Sequence, residues 1–185
     1  MKFISFEKDE NLFFGVIEND LIYDLHAINS NIAESMLEFM QGGNEQLDLA
    51  HKAIQENEPS INVNDVKLLS PLTNPPSVRD AYAFRQHVAT ARRNRGLEMI
   101  PEFDEIPIFY FTNHNAVFGP GNFPVLSRHL GKLDFELECA AVIGKGGRDI
   151  SASQADEHIF GFMIMNDFSA RVMQMQEMKL NLGPA

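Results

Sequence analysis

The sequence has little cysteine, no tryptophan and no long apolar run. Cys139 is the one cysteine, so an internal disulfide cannot form, and a reducing compartment is the expected setting. The N-terminal stretch has no apolar signal-peptide core, and no stretch approaches the roughly 18 apolar residues of a membrane-spanning helix. These absences predict a cytoplasmic protein.

Basic residues are also scarce. The chain has 15 Lys and Arg against 26 Asp and Glu, which gives a net charge of −11. A surface of this sign repels nucleic acid and anionic lipid, so we expect neither as a partner. It suits a protein that binds a cation, and a hydrophobic fraction of 44% is sufficient for a packed core.

The apolar pattern predicts an α+β chain with two domains. Residues 1–70 combine short strands, with a hairpin turn at Asn19-Asp20, and two amphipathic helices, which together form a small N-terminal α/β unit. The proline-rich run "SPLTNPPS" ends this unit. Residues 71–185 form the second predicted domain.

A helical pattern over residues 77–96 carries two candidate functional side chains. Asp80 and His87 are seven residues apart, nearly two turns, so both would project from one helix face. Asp80 also fits a capping box begun by Ser77, and His87 is also typical of a partly buried, hydrogen-bonded histidine. The residues alone leave both alternatives open.

Three acids alternate in "LDFELECAAVIGK", a stretch typical of a strand. Asp134, Glu136 and Glu138 would share one face and repel one another, so protons, a basic partner or a cation must neutralise them. An edge strand with a solvated face is one alternative. The apolar continuation favours burial, and buried carboxylates need a partner or a metal. Cys139 falls on the opposite face, where we expect a small core residue.

Asp167 follows the apolar run "FMIM" and precedes a second helical pattern, "SARVMQMQEM". An acid at this place is typical of a helix cap, and it is also available for chemistry at the end of a strand.

Three motifs occur in the second predicted domain, "DAYAFRQH", "LDFELE" and "MNDFSAR". Together they resemble signatures of the fumarylacetoacetate hydrolase family, in the same order and at similar separations, and the resemblance covers roughly residues 70–185. It implies a mixed β-roll for the catalytic domain, of which this chain would carry the N-terminal part. The family's lysine would follow Ala185, so we expect these residues to be part of a longer chain. Val172 and Phe168 stand where many relatives have Asp and Trp.

The resemblance also implies an all-carboxylate site for a divalent cation. Oxygen ligands suit Mg²⁺, Ca²⁺ or Mn²⁺ better than zinc. The implied ligands are Asp80, Glu136, Glu138 and Asp167.

Further residues gain implied roles in the same way. His87 falls on the family's catalytic base, which activates water, and Tyr110 and Gln174 fall on positions that contact substrate. A mobile lid that follows His87 often supplies a substrate-binding arginine. The candidates for it are Arg92, Arg93 and Arg95.

The implied activity is metal-dependent hydrolysis of a carbon–carbon bond in a β-diketo acid, of the fumarylacetoacetate or acylpyruvate type met in aromatic catabolism, by a homodimer. Decarboxylation, hydration or isomerisation of 2-keto acids uses the same scaffold and stays open. A non-catalytic metal-binding module is the alternative from another class.

Overall fold

The computed structural model describes residues 1–180 and divides into two compact units. One unit combines residues 1–73 with the chain from Phe118 onward, and the other is residues 74–117. The domain boundary after residue 70 stays a prediction. Within the described part, no helix has both the length and the apolar character needed to cross a membrane.

The first unit begins with a five-stranded antiparallel sheet. Asp9-Glu10 and Asn19-Asp20 all have positive φ, the conformation that two-residue hairpin turns require. The predicted turn at Asn19-Asp20 is therefore confirmed. Along the sheet the strand order is β4-β3-β2-β1-β5, with β1 Phe3–Lys8, β2 Asn11–Glu18, β3 Leu21–Asp24, β4 Ile61–Asn62 and β5 Lys67–Leu68.

Three helices cover one face of this sheet and create the core. The side chain of Ser35 accepts a hydrogen bond from the backbone N–H of Glu38 and donates one to its carboxylate, which fixes the start of the second helix. Phe14 and Phe39 meet at the sheet–helix interface, with ring centroids 4.9 Å apart and both side chains buried. The helices are α1 Leu25–Ile28, α2 Met36–Gln41 and α3 Gly43–Glu56.

The second unit contains a two-stranded sheet and a helix. The strands β6 Val78–Ala81 and β7 Phe109–Thr112 pair antiparallel, and helix α4 spans Arg85–Asn94. The prediction of one helix over residues 77–96 is therefore wrong in its first part. The segment around Asp80 is extended because it pairs with a strand some thirty residues later, a contact that local periodicity cannot report.

Two further expectations fail with that helix. Asp80 does not belong to a capping box, since it lies inside a strand. Asp80 and His87 also do not share a helix face, because α4 begins only at Arg85.

The first unit continues after Phe118 with a long antiparallel hairpin. Strand β8, Leu133–Ile143, confirms the predicted strand, and it pairs along its length with β9, Ile159–Ala170. Val142 and Phe160 pack against the core of the N-terminal sheet. Helix α5, Arg171–Glu177, follows directly. Single 3-10 segments lie at Val63–Asp65, Pro101–Asp104, Ser127–Lys132, Ala152–His158 and Met178–Leu180.

The two faces of this hairpin differ in burial. Glu136, Glu138 and Val142 lie on a half-buried face, whereas the opposite face is exposed and largely apolar. The expectation that the strand is buried is therefore wrong for this outer face. The assignment of Cys139 to the core is also wrong, since Cys139 lies on the exposed face. The large exposed side chains are Phe135, Leu137, Ile143, Phe162, Ile164 and Phe168.

Candidate metal centre

Three carboxylates share the half-buried face of the β8–β9 hairpin. Glu136 lies directly opposite Asp167 in the antiparallel register, and Glu138 follows two residues later on the same face. Glu138 and Asp167 each offer a carboxylate oxygen, and these two atoms lie within 4.8 Å of each other. Oxygen donors at this spacing fit a hard divalent cation.

Asp167 owes this position to the length of β9. The strand continues through Asp167 to Ala170, and Ala170 is the N-cap residue of α5. The alternative that Asp167 caps the following helix is therefore wrong. Its place in the ladder directs it to the same face as Glu136.

Arg171 is a basic partner for two of the alternating acids. Its Nε donates to Asp134 Oδ2 at 3.0 Å, and its Nη1 donates to Glu136 Oε1. Burial alone would lower the pKa of Arg171, but the hydrogen bonds with Glu136 and Asp134 outweigh it and hold that pKa above its usual range. The backbone N–H of Phe135 and the guanidinium of Arg171 together lower the pKa of the Asp134 carboxyl. Arg171 thus offsets part of the negative charge of two of the acids within the chain itself.

Sequence reasoning did not single out Arg171. The available signal was the requirement for a basic partner, together with an arginine at the end of "MNDFSAR". Arg171 also connects Gln174 to the acids, since its Nη1 donates to Gln174 Oε1 at 3.0 Å. Gln174 therefore lies one turn along α5 and next to the guanidinium that binds Glu136.

In the second unit, Asp80 and Tyr110 form a cross-strand pair. They are direct neighbours in the β6–β7 register, and the Tyr110 hydroxyl donates to Asp80 Oδ2 at 2.7 Å. This hydrogen bond fixes one carboxylate oxygen of Asp80. Asp80 itself is half-buried.

His87 lies on α4 with an exposed side chain. The alternative of a partly buried structural histidine is therefore wrong. The first turn of the helix is connected to the following 3-10 segment by a two-point ion pair, in which Arg85 Nε and Nη2 donate to the two oxygens of Asp104 at 2.7 and 3.0 Å. The hydrogen bond from Arg85 lowers the pKa of Asp104.

The three candidate lid arginines lie at the C-terminal end of α4. Arg92 donates through Nε to the carbonyl of Glu98, Arg93 is exposed, and Arg95 occupies the C-cap position. Their roles in substrate binding stay predictions.

Comparison with known proteins gives matches along most of the chain. The family model described as fumarylacetoacetate (FAA) hydrolase C-terminal matches residues 77–185. A mitochondrial oxaloacetate tautomerase from Bos taurus is 30% identical over 154 residues, covering 83% of this chain and 47% of that protein. A fumarylacetoacetase from Oryza sativa subsp. japonica is 32% identical, covering 72% and 38%. The chain thus spans about half the length, or less, of these curated relatives.

Solved structures show the same fold. A fumarylacetoacetate hydrolase from Exiguobacterium antarcticum is 26% identical with a TM-score of 0.60, covering 96% of this chain and 59% of that one. A maleylpyruvate hydrolase from Sphingobium sp. SYK-6, solved with manganese(II) and pyruvate, is 19% identical with a TM-score of 0.66, covering 91% and 59%. The predicted α+β fold of this family is confirmed. The family model matches more than half of the residues of this chain, so the chain belongs to the fumarylacetoacetate hydrolase family.

Proposed function

We propose that this protein is a divalent-metal-dependent hydrolase that cleaves a carbon–carbon bond in a β-diketo acid of the fumarylacetoacetate or acylpyruvate type. The observation that carries the proposal is the convergence of carboxylate oxygens from Glu138 and Asp167, within 4.8 Å of each other on one hairpin face. Membership of the family supports the reaction class.

The proposed ligands share carboxylate chemistry and stand in the three sequence signatures. Glu138 and Asp167 are joined in the proposal by Glu136, which shares their hairpin face, and by Asp80, which is assigned from its place in the first signature. A bound Mg²⁺, Ca²⁺ or Mn²⁺ would polarise the substrate carbonyl oxygens and stabilise the negative charge that develops on them.

His87 is the proposed general base. Its exposed imidazole is accessible to water and substrate, and a neutral ring nitrogen can take a proton from the attacking water. General-base catalysis of this kind contributes roughly 10²- to 10⁴-fold.

Substrate contacts are proposed for four polar side chains. Tyr110 already bonds to Asp80, and Gln174 lies against Arg171, so each is next to a carboxylate of the proposed ligand set. An arginine would complement the substrate carboxylate. The candidates are Arg92 and Arg95. A homodimer and a cytoplasmic location stay predictions.

Keto–enol tautomerisation of a 2-keto acid is the second candidate. It is favoured by curated relatives that are named oxaloacetate tautomerases, one of them 30% identical to this chain. Such a reaction uses the same metal without needing a base that activates water, so His87 distinguishes the two candidates.

The test compares two substrates and two histidines. Acylpyruvate cleavage and oxaloacetate tautomerisation are measured with Mn²⁺, the ion named for the maleylpyruvate hydrolase structure. We expect His87→Ala to lower cleavage at least about 100-fold without changing the unfolding temperature. The control is His51→Ala, which removes an exposed histidine from α3.

Each outcome selects one candidate. Metal-dependent tautomerisation that survives His87→Ala, without cleavage, identifies a tautomerase. Metal binding without either activity identifies a non-catalytic metal-binding module and contradicts the proposed hydrolase.

A further inference from the structure

The antiparallel hairpin brings Arg171 close to the acids at the beginning of β8. It is the first residue of α5, directly after β9, and β9 runs antiparallel to β8 so that Ala170 lies opposite Leu133. The guanidinium therefore returns to the beginning of β8. Its side chain is only 22% exposed, against 53% for Asp134 and 35% for Glu136.

The charge balance on this face favours the binding of a cation. Glu136 and Asp167 are direct cross-strand partners, and like charges in that position destabilise a sheet. Glu138 adds a third negative charge two residues along β8. One guanidinium offsets part of this repulsion and leaves the face with net negative charge, which still favours a divalent cation.

Glu136 is bound by Arg171 and is also a proposed metal ligand. Its Oε1 accepts hydrogen bonds from Arg171 Nη1 and, at 3.5 Å, from the Ser169 hydroxyl. The proposed function also makes Glu136 a metal ligand. A guanidinium and a divalent cation at the same carboxylate oxygen would repel each other. A hydrogen bond from Arg171 to Glu136 therefore weakens metal coordination by Glu136, and metal coordination weakens the hydrogen bond.

We propose, on the basis of the proposed metal site, that Arg171 and the divalent cation are alternative partners of Glu136, and that Arg171 thereby sets the affinity of the site. Asp134 is the anchor that retains the guanidinium when Glu136 turns to the cation, since Nε donates to Asp134 at 3.0 Å. Gln174, which accepts from Nη1 at 3.0 Å, gives the released end of the guanidinium a second hydrogen-bond partner.

The opposite role is physically reasonable and is what the experiment must separate. A guanidinium that only orients Glu136 would increase metal affinity, as partners behind metal ligands commonly do. Removing Arg171 therefore strengthens metal binding under competition and weakens it under orientation. The sign of the effect decides between them.

The experiment is a calorimetric titration of the whole chain with Mn²⁺ alone, at fixed pH and ionic strength. We expect Arg171→Gln to bind Mn²⁺ about tenfold more tightly, within the usual range of coupling between two sites. The same variant should unfold at a lower temperature without metal, because Asp134 and Glu136 lose their partner. An unchanged or weaker Mn²⁺ affinity would overturn the proposal.

Arg148→Gln is the matched control. It removes the same charge from the same unit, but its side chain is 93% exposed and pairs with Asp149. We expect its Mn²⁺ affinity to stay within about twofold of the parent, as for other exposed ion pairs. An equal gain in both variants would attribute the effect to net charge and overturn the role of Arg171.

Two further variants make the result decisive. Glu138→Gln tests the site itself: if Mn²⁺ binding survives this change, the proposed metal site is wrong, whereas loss of binding without a gain in Arg171→Gln rejects only the competition. Should Arg171→Gln fail to unfold cooperatively, Arg171→Lys replaces it, because a single ammonium cannot hold both acids in the same fork. A gain smaller than that expected for glutamine supports the proposal, and no gain overturns it.

Discussion

The N-terminal sheet and the β8–β9 hairpin use the same alternation of side chains and reach opposite burial. In the sheet, Phe14 and Val16 are 2% and 4% exposed, because the helices α2 and α3 supply the other half of the core. In the hairpin, Leu137 and Ile164 on the outer face are 70% and 75% exposed. Alternation therefore fixes which side chains share a face, while burial depends on what covers that face.

The largest expected difference in folding stability is between two side-chain truncations, one in the N-terminal core and one on the outer face of the hairpin. Phe39→Ala should destabilise the protein by about 3–5 kcal/mol, because a buried ring in contact with Phe3, Phe14 and Phe160 is lost. Leu137→Ala should cost less than about 0.5 kcal/mol, as expected for an exposed side chain. Urea unfolding of both variants measures the difference. A loss at Leu137 similar to that at Phe39 would show that the outer hairpin face is covered in solution.

A pair of glycine substitutions sharpens the same comparison at the backbone. A Cβ on Gly15 in β2 would lie 2.2 Å from the Tyr23 carbonyl oxygen of the neighbouring strand, so Gly15→Ala should destabilise by about 1–3 kcal/mol. A Cβ on Gly161 in β9 would meet nothing within 4 Å, and Gly161→Ala should be neutral or slightly stabilising. Thermal unfolding compares the two, and equal losses would contradict the difference in packing.

The smallest expected effect is a pH dependence of the unfolding temperature that arises from Tyr23 in the N-terminal sheet. Burial, followed by the nearby charges of Glu18 and Glu58, raises the pKa of Tyr23 above its ordinary value of 10.0. Because this pKa is raised in the folded state, the contribution of Tyr23 to the stability of the fold is complete below pH 10. It is lost as the pH rises through the folded-state pKa. Tyr23→Phe should therefore flatten the alkaline decline in unfolding temperature. An unchanged decline would assign it to other groups.

The parts of the fold that depend on local signals could be predicted from the sequence. The turn at Asn19-Asp20 follows from residues adjacent in the chain. Strand Leu133–Ile143 follows from alternation over many residues. Local patterns failed at Asp80, where pairing with a distant strand overrides a helical periodicity.

The candidate site was predictable in its residue types and less so in its pairings. The alternating acids predict a nearby positive charge, but the sequence does not show which basic side chain or metal ion supplies it. Arg171 is 35 residues from Glu136 and 37 from Asp134, and only the register of the hairpin brings them together. Cys139 illustrates the same limit, since its face could be predicted and its exposure could not.

The metal response of Glu138→Gln tests the central claim most directly. At a Mn²⁺ concentration about a hundred times its Kd, binding should raise the unfolding temperature of the parent chain by roughly 5–10 °C. Glu138→Gln should remove most of that increase. Glu157→Gln, which removes an exposed carboxylate paired with Lys145, should retain it. An increase that is the same in all three proteins would show that the carboxylates of the β8–β9 hairpin are not the metal site.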